Sequence, residues 1–370
     1  MNLLVIGDLH VHEWGRFGRD ERGVNKYLRL VEKLFKEHIP AAIEQAARRG
    51  VRVEGVVFLG DLVEEPTRTG KIAVAVQNFT FDLFASLRDF LPESIDIYVI
   101  SGNHDQTAGK RTWVSALSPY AVVIDDVHTE KDAIFVAYDA PAYIEDVLRN
   151  THAKVVFGHF AYEGAVFDNG EAVPSNVAVS ADVAARFSLN VLGHIHAPQQ
   201  VKNTLYVGSP YRFSYHARDT EPRHLYIVDT EAGEVVTKYP IPSPVFVRLD
   251  SPQVKDAELK ALPEGSFVRI PTTRESKMNI SKKLATLKEK YPHLNFDVYV
   301  LEENEVPESR LRIALQAAIH DRWQAALLAA EQYLSFCEEH AKNKPPASVK
   351  DMMAFFRSRL LDKARRKENK

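Results

Sequence analysis

The sequence has little cysteine and no long apolar run. Its single cysteine, Cys337, excludes a disulfide framework and any zinc site built on cysteine, and it favours a reducing compartment. No run of 18 apolar residues is present, so we expect no transmembrane helix. The N-terminal segment, residues 1–10, is too short and too uncharged for a signal peptide, and we therefore expect a cytoplasmic protein.

An excess of charge of one sign is also missing. The chain has 47 Lys and Arg against 50 Asp and Glu, a formal net charge of -3, which argues against a protein that coats a polyanion. An enzyme that acts on nucleic acid is still allowed, because positive charge can be local or supplied by metal ions. The 370 residues are 45% hydrophobic, which predicts a packed core and two or three domains.

Short apolar runs alternate with helical patterns over the first 240 residues, and this order predicts an α/β domain. Helices are predicted over residues 24–49 and 72–90. The predicted strands are rich in Val, Ile and aromatic residues. They cover Leu3–Ile6, Val56–Leu59, Ile97–Ile100, Ile134–Tyr138, Val155–Phe157, Val191–Leu192, Leu205–Val207 and Leu225–Val228.

Three prolines between residues 240 and 244 mark a predicted boundary, so residues 1–243 form the first expected domain. Residues 244–305 show a β–β–α–β pattern, which is typical of a small α+β domain. Residues 306–370 have the pattern of two amphipathic helices separated by Pro345-Pro346. We expect this last segment to bind a partner protein, because its second helix carries a face of Met and Phe.

Five short motifs follow predicted strands, and each joins a glycine to residues that can bind a metal ion or a phosphate. They are Gly7-Asp8-Leu9-His10, Gly60-Asp61, Gly102-Asn103-His104-Asp105, Gly158-His159 and Gly193-His194-Ile195-His196. In open α/β sheets, ligands collect beyond the carboxyl ends of the strands, so we expect these side chains to lie close together.

The motifs supply oxygen and imidazole donors and no thiolate, a set that suits Mn, Fe or Zn. The donors are too many for one ion but suit two ions about 4 Å apart that share a carboxylate. The expected ligands are Asp61 as the bridge, Asp8, His10 and His196 at one ion, and Asn103, His159 and His194 at the other. Both histidines of the last motif reach the centre only if their segment turns, which Gly193 permits.

The five motifs, in this order, resemble those of the calcineurin-like metallophosphoesterase superfamily over about residues 1–240. The resemblance implies a four-layer α/β/β/α sandwich and hydrolysis of a phosphate ester with two divalent metal ions. It also implies that His104 is the catalytic histidine, which contacts the phosphate and protonates the leaving oxygen. Asp105 is either a residue that orients His104 or a plain turn residue.

Within this superfamily, the chain is most similar to the SbcD family of DNA double-strand-break repair nucleases. The second motif lacks the neighbouring Arg of the protein phosphatases, whereas residues 205–211 resemble the Gly-Ser-Pro strand of the SbcD family. Residues 244–305 stand where that family has its capping domain. The resemblance implies a manganese-dependent nuclease on DNA ends and hairpins, and a homodimer joined through residues 306–370 to an SMC-like ATPase of the SbcC type. The moderate length fits a phage-encoded member that acts in the host cytoplasm.

Two features depart from the family. Glu64 replaces a histidine that often follows the bridging aspartate by three residues, and a carboxylate there is expected to repel a phosphate. After the first motif, His12 and Trp14 are candidates to line the substrate cleft, with Trp14 stacking on a base. The alternative is that Trp14 only holds its loop against the core.

Two other functions agree with parts of the sequence. A stand-alone phosphodiesterase for nucleotides or other small esters has the same metal motifs. A metal-bound scaffold without catalysis would need only the ligands, but the histidine expected to be catalytic is also present.

Overall fold

A computed structural model describes residues 1–64, 72–106, 112–215, 222–249, 256–272 and 277–300. The chain divides into two units, and the first comprises Met1–Thr272 and Ser276–Tyr299. The second comprises Thr273–Glu275 and Val300–Lys370, nearly all of it outside the described residues. The two helices predicted within residues 306–370 therefore lie outside the described part of the chain.

The first sheet has six strands, and four neighbouring strands in it run parallel. In spatial order they are β12 (Glu234–Ile241), β11 (Arg223–Asp229), β1 (Asn2–Ile6), β2 (Gly55–Phe58), β3 (Asp96–Ile100) and β4 (Val122–Ile124). The register places Ile6 beside Phe58, and Phe58 beside Val99, so β1, β2 and β3 end at one edge of the sheet.

The second sheet also has six strands, with a parallel centre and antiparallel edges. In spatial order they are β5 (Val127–Glu130), β6 (Ala133–Val136), β7 (Val155–Gly158), β8 (Leu189–Leu192), β10 (Thr204–Tyr206) and β9 (Gln199–Val201). Gly158 pairs with Leu192, so β7 and β8 also end level with each other.

Helices cover the outer faces of both sheets. The predicted helix over residues 24–49 is confirmed as α1 (Lys26–Lys33), a π-helical turn (Leu34–His38) and α2 (Ile39–Arg48), and the second as α3 (Val74–Phe90). Asn25 caps α1 by accepting the backbone N–H of Tyr27 at 2.9 Å. Two further helices, α4 (Pro141–Arg149) and α5 (Ala181–Ala184), cover the second sheet. Among the described helices, none combines the length and the apolar character needed to cross a membrane.

Successive side chains on a strand point to opposite faces of the sheet, so a strand that is buried on both faces contributes to two apolar layers. On β1, Leu3 and Val5 pack between the two sheets, whereas Leu4 and Ile6 pack under α1–α3. A third apolar cluster joins the second sheet to α4 and α5. The predicted α/β sandwich of four layers is therefore confirmed.

A smaller three-stranded sheet follows the sandwich and has its own apolar cluster. It contains β13 (Phe246–Arg248), α6 (Asp256–Lys260), β14 (Phe267–Thr272), α7 (Lys277–Lys290) and β15 (Asn295–Val300). The predicted order β–β–α–β omitted the short helix α6. The first of the three prolines lies within the last strand of the first sheet, because β12 continues through Pro240 to Ile241. Pro240 is tolerated there because β12 is an edge strand.

Candidate metal centre

All five motifs meet where the two sheets end. Three of them follow β1, β2 and β3, which are parallel neighbours, and two follow β7 and β8 in the facing sheet. The strands fix the start of each loop, because their backbones are buried and hydrogen-bonded. The loop after β1 is also bonded to the loop after β2, since the His10 N–H donates to Asp61 O at 2.9 Å.

Three of the expected ligands have left-handed backbone conformations. The φ angles are 43° at His10, 48° at Asp61 and 75° at His194. Such a conformation costs about 1–3 kcal/mol for a residue with a Cβ, and it often marks a functional site. At the last motif the left-handed conformation is adopted by His194 itself, and Gly193 leaves room for the turn, because a Cβ there would lie 2.7 Å from the Leu59 carbonyl oxygen.

At Gly60 and Gly102 there is no space for a side chain. A Cβ at Gly102 would lie 2.2 Å from Asp61 Oδ1, and one at Gly60 would lie 2.5 Å from His159 Nδ1. Both distances are far below van der Waals contact, so a larger residue would displace a ligand. The glycines therefore let two loops approach each other at the centre.

The first ligand group consists of Asp8, His10, Asp61 and His196, whose donor atoms all lie within 4.8 Å of one another. His10 Nε2 lies 3.0 Å from His196 Nε2 and 3.6 Å from Asp61 Oδ2. Asp8 is fully buried, and its Oδ2 has no hydrogen-bond partner among the described residues. A buried carboxylate oxygen without a partner is costly unless a cation binds it.

The second group consists of Asn103, His159 and His194. Asn103 Oδ1 lies 3.1 Å from His159 Nε2 and 3.0 Å from His194 Nδ1. Because His159 Nδ1–H donates to the Leu59 carbonyl at 2.7 Å, its Nε2 is the atom that faces the centre. Asn103 Oδ1 therefore lies within 3.1 Å of a nitrogen of each histidine, which suits three ligands of one ion.

Asp61 joins the two groups. Its Oδ2 lies 3.6 Å from His10 Nε2 and 3.2 Å from His159 Nε2, so one oxygen faces a histidine of each group. Its Oδ1 accepts the backbone N–H of His104 at 2.8 Å. This is the arrangement expected of a carboxylate that bridges two ions.

The donor set therefore fits two divalent ions, and oxygen with imidazole suits Mn, Fe or Zn. Burial and the neighbouring charges shift the pKa values of three of these histidines. Burial opposes the charged form of His159, but the Asp61 carboxylate outweighs this and raises the pKa of His159 to about 9. Burial likewise opposes charge on His196, and the Asp168 carboxylate raises its pKa to about 9. Burial, followed by the charge of His159, lowers the pKa of His194 to about 4.

Two carboxylates orient histidines of the first group from behind. Asp168 Oδ2 lies 2.9 Å from His196 Nδ1, and Glu64 Oε2 lies 2.6 Å from His10 Nδ1. Burial opposes ionisation of Glu64, but its bond to His10 holds the pKa of Glu64 below its usual value. Such partners fix the ring and raise its basicity as a ligand. Glu64 Oε2 also lies 3.8 Å from His104 Nδ1, so the carboxylate neighbours both an expected ligand and the expected catalytic histidine, and its repulsion of a phosphate stays a prediction.

His104 lies at the rim of the centre. Its side chain is 29% exposed, and its ring centroid lies 4.8 Å from that of His10. Its Nδ1–H donates to the backbone carbonyl of Glu64 at 3.0 Å. This bond leaves Nε2 as the atom that can exchange a proton with a substrate.

Asp105 is buried and joins the loops after β2 and β3 by hydrogen bonds. Its carboxylate accepts backbone N–H groups from Leu62 at 3.0 Å and Gly102 at 2.9 Å, and the indole N–H of Trp113 at 3.2 Å. Among the described hydrogen bonds, none joins the Asp105 side chain to the ring of His104. Burial, followed by the negative charge of Asp61, raises the pKa of Asp105 to about 7.

The candidate cleft residues pack beside the first ligand group. The Trp14 ring stacks on Phe213 with centroids 5.5 Å apart, and its indole N–H donates to the His10 carbonyl at 3.3 Å. The His12 ring lies 5.0 Å from the ring of Trp14. Sequence reasoning missed Phe213, whose ring lies 5.0 Å from those of both His10 and His196. It also missed Asp168, which stands in a loop without a strand-end pattern.

The geometry agrees with a comparison to known families. The calcineurin-like phosphoesterase family matches residues 1–198, and the chain belongs to this family. Its members are metal-dependent hydrolases of phosphate esters that use divalent ions, and the cluster around Asp61 is the candidate site for them. No curated protein sequence matches the chain.

Proposed function

We propose that the protein is a metal-dependent DNA nuclease of the SbcD type that hydrolyses phosphodiesters at DNA ends. The observation that supports the reaction is that one oxygen of Asp61 faces a histidine of each ligand group, His10 and His159, with His104 at the rim. DNA as the substrate rests on the resemblance to the SbcD family, in which a capping domain follows the sandwich. A three-stranded unit stands at that place in this chain, and the Phe267 ring lies 4.8 Å from the Phe17 ring of the loop after the first motif.

When bound, two divalent ions would neutralise the phosphate oxygens and lower the pKa of water. The residues hold the reacting groups in place. Glu64 and Asp168 keep the rings of His10 and His196 directed at the centre. His104, anchored through Nδ1, presents Nε2 to the leaving oxygen and returns a proton to it.

The partners belong to the same proposal. Residues 306–370 carry 13 Lys and Arg against 8 Asp and Glu, which leaves a formal net charge of -8 on the first 305 residues. Residues 1–305, with this net negative charge, are expected to bind DNA weakly by themselves. The missing affinity for DNA would come from two sources. One is homodimerisation, and the other is an SMC-like ATPase of the SbcC type bound through residues 306–370. Mn²⁺ is the proposed metal, in keeping with the oxygen and imidazole donors.

The test is degradation of linear duplex DNA by the full chain with Mn²⁺. Asp61→Ala and His104→Ala should each abolish cleavage, because one removes the bridge and the other the proton donor. Asp132→Ala is the matched control, since Asp132 pairs with Lys154 on the surface. The proposal fails if the wild-type chain cleaves no DNA with any divalent metal, with or without an ATPase partner.

A second candidate is hydrolysis of small phosphate esters, and a specific cavity favours it. A space of about 140 Å³ beside His194 is lined mainly by apolar groups, among them Ile144, Phe160 and Val177. It suits a small leaving group better than a duplex. Strong turnover of nucleotides by a chain that leaves duplex and hairpin DNA intact would select this candidate.

A further inference from the structure

A second cavity lies away from the metal ligands and has a cationic lining. It has a volume of about 990 Å³ and is open to solvent. Arg16 comes from the loop after the first motif, and Ser214 and Tyr215 come from the loop before β11. The other side belongs to the three-stranded unit, through Arg269 on β14 and Lys288 on α7.

The charges of the lining do not cancel. Among the described residues that line the cavity, three are cations, Arg16, Arg269 and Lys288, and one is a carboxylate, Asp297. Arg269 Nη2 lies 2.9 Å from Asp297 Oδ2, and its guanidinium lies over the Tyr215 ring, 4.0 Å from the centroid. The described lining therefore presents a net positive charge to solvent.

The surroundings of Arg16 also carry an excess of positive charge. Partial burial, followed by the positive charge of Arg269, lowers the pKa of the Arg16 guanidinium. Two guanidinium groups that repel each other are both stabilised when an anion binds between them. A phosphate suits such a place, because its oxygens accept the paired N–H groups of arginine.

A short series of contacts joins the cavity to the metal centre. Arg16 Nη1 donates to the Phe213 carbonyl at 2.6 Å, and its guanidinium lies 5.3 Å from the centroid of the Trp14 ring. The Phe213 ring in turn lies 5.0 Å from the ring of the ligand His10. The residues that hold Arg16 thus also pack against a residue of the first ligand group, which places this side of the cavity beside the metal centre.

We propose that this cavity binds a backbone phosphate of the strand whose scissile phosphodiester lies at the metal centre. The inference rests on the proposed nuclease function and adds to it a second point of contact with the strand. Nucleic-acid binding clefts commonly place cations along the backbone beside aromatic rings. The volume is at the upper end of ligand cavities, which accommodates a nucleotide with its phosphate.

The test measures binding of a fluorescein-labelled oligothymidine to the full chain by fluorescence anisotropy, in EDTA and at several salt concentrations. Arg16→Gln and Arg269→Gln should each raise the Kd about tenfold and reduce the slope of log Kd against log salt by about 0.7. Arg48→Gln is the matched control, because Arg48 is an exposed arginine that pairs with Glu44 on α2. It should leave both quantities within about twofold of wild type.

A variant that is expected to bind the oligothymidine more tightly tests whether the weaker binding of the arginine variants is caused by misfolding. Asp297→Asn removes the one carboxylate found among the described lining residues and releases Arg269, so it should tighten binding about threefold. Calorimetric titration with inorganic phosphate distinguishes a strand from a free ion. The proposal is overturned if the two arginine variants match Arg48→Gln, if Asp297→Asn weakens binding, or if the variants lose only inorganic phosphate.

Failure of this inference can be distinguished from failure of the proposed function. A wild-type chain that cleaves DNA, while its Arg16 and Arg269 variants bind the strand normally, overturns the inference alone. A chain that binds the strand through these arginines but hydrolyses no DNA with any divalent metal overturns the nuclease function alone.

Discussion

Replacing Glu64 by Gln tests how the first ligand group is held. The side chain keeps its size, but the carboxylate that lies 2.6 Å from His10 Nδ1 is lost. Loss of a side chain that supports a metal ligand typically costs about 10- to 100-fold in metal affinity, which corresponds to about 1.4–2.8 kcal/mol. We therefore expect the metal affinity to fall about 10- to 100-fold, the range found when partners of metal ligands are removed.

The assay is calorimetric titration of the metal-stripped chain with Mn²⁺. Glu130→Gln is the matched control, because Glu130 also neighbours a histidine, His128 at 3.6 Å, but on β5 and away from the ligands. Its titration should coincide with that of wild type. If Glu64→Gln binds Mn²⁺ as tightly as wild type, the carboxylate does not support His10 and the reasoning is refuted.

Three further predictions concern the same centre. Asp105→Asn should lower the free energy of unfolding by about 1–3 kcal/mol, because an amide cannot accept all the N–H groups bound there; an unchanged Tm with lost activity would instead indicate a role in orienting His104. The pKa values of His159 and His196 are raised to about 9, so in EDTA their stabilisation is complete below about pH 6.5 and is lost as the pH rises through 9. Urea unfolding at both ends of this range should show the loss, and Mn²⁺ should remove it; equal stability at both ends in EDTA would contradict it. Asp168→Asn should weaken Mn²⁺ binding about tenfold, and unchanged calorimetry would exclude support of His196.

The sandwich and the meeting of the five motifs could be predicted from the sequence. Buried strands that end in a glycine and a ligand are local patterns, and parallel strands bring their carboxyl ends to one edge. Short edge strands could not be predicted in the same way. β5 and β9 are largely polar, and their pairing partners alone make them strands.

The residues behind the ligands could not be predicted, because tertiary contacts define them. Glu64 was seen as a departure from a family pattern, but nothing local indicated its contact with His10. Asp168 and Phe213 reach the centre from loops that have no strand-end pattern. The left-handed conformation of His194 was also hidden, because a neighbouring glycine offered a simpler explanation for the turn.

The number of ions held by Asp61 tests the central claim most directly. Elemental analysis and calorimetry of the full chain loaded with Mn²⁺ should give two ions per chain for wild type. Asp61→Asn should retain no more than one tightly bound ion, because the oxygen that faces both His10 and His159 then carries no charge to share. A single ion in wild type, or two tightly bound ions in Asp61→Asn, would contradict a binuclear centre bridged by Asp61.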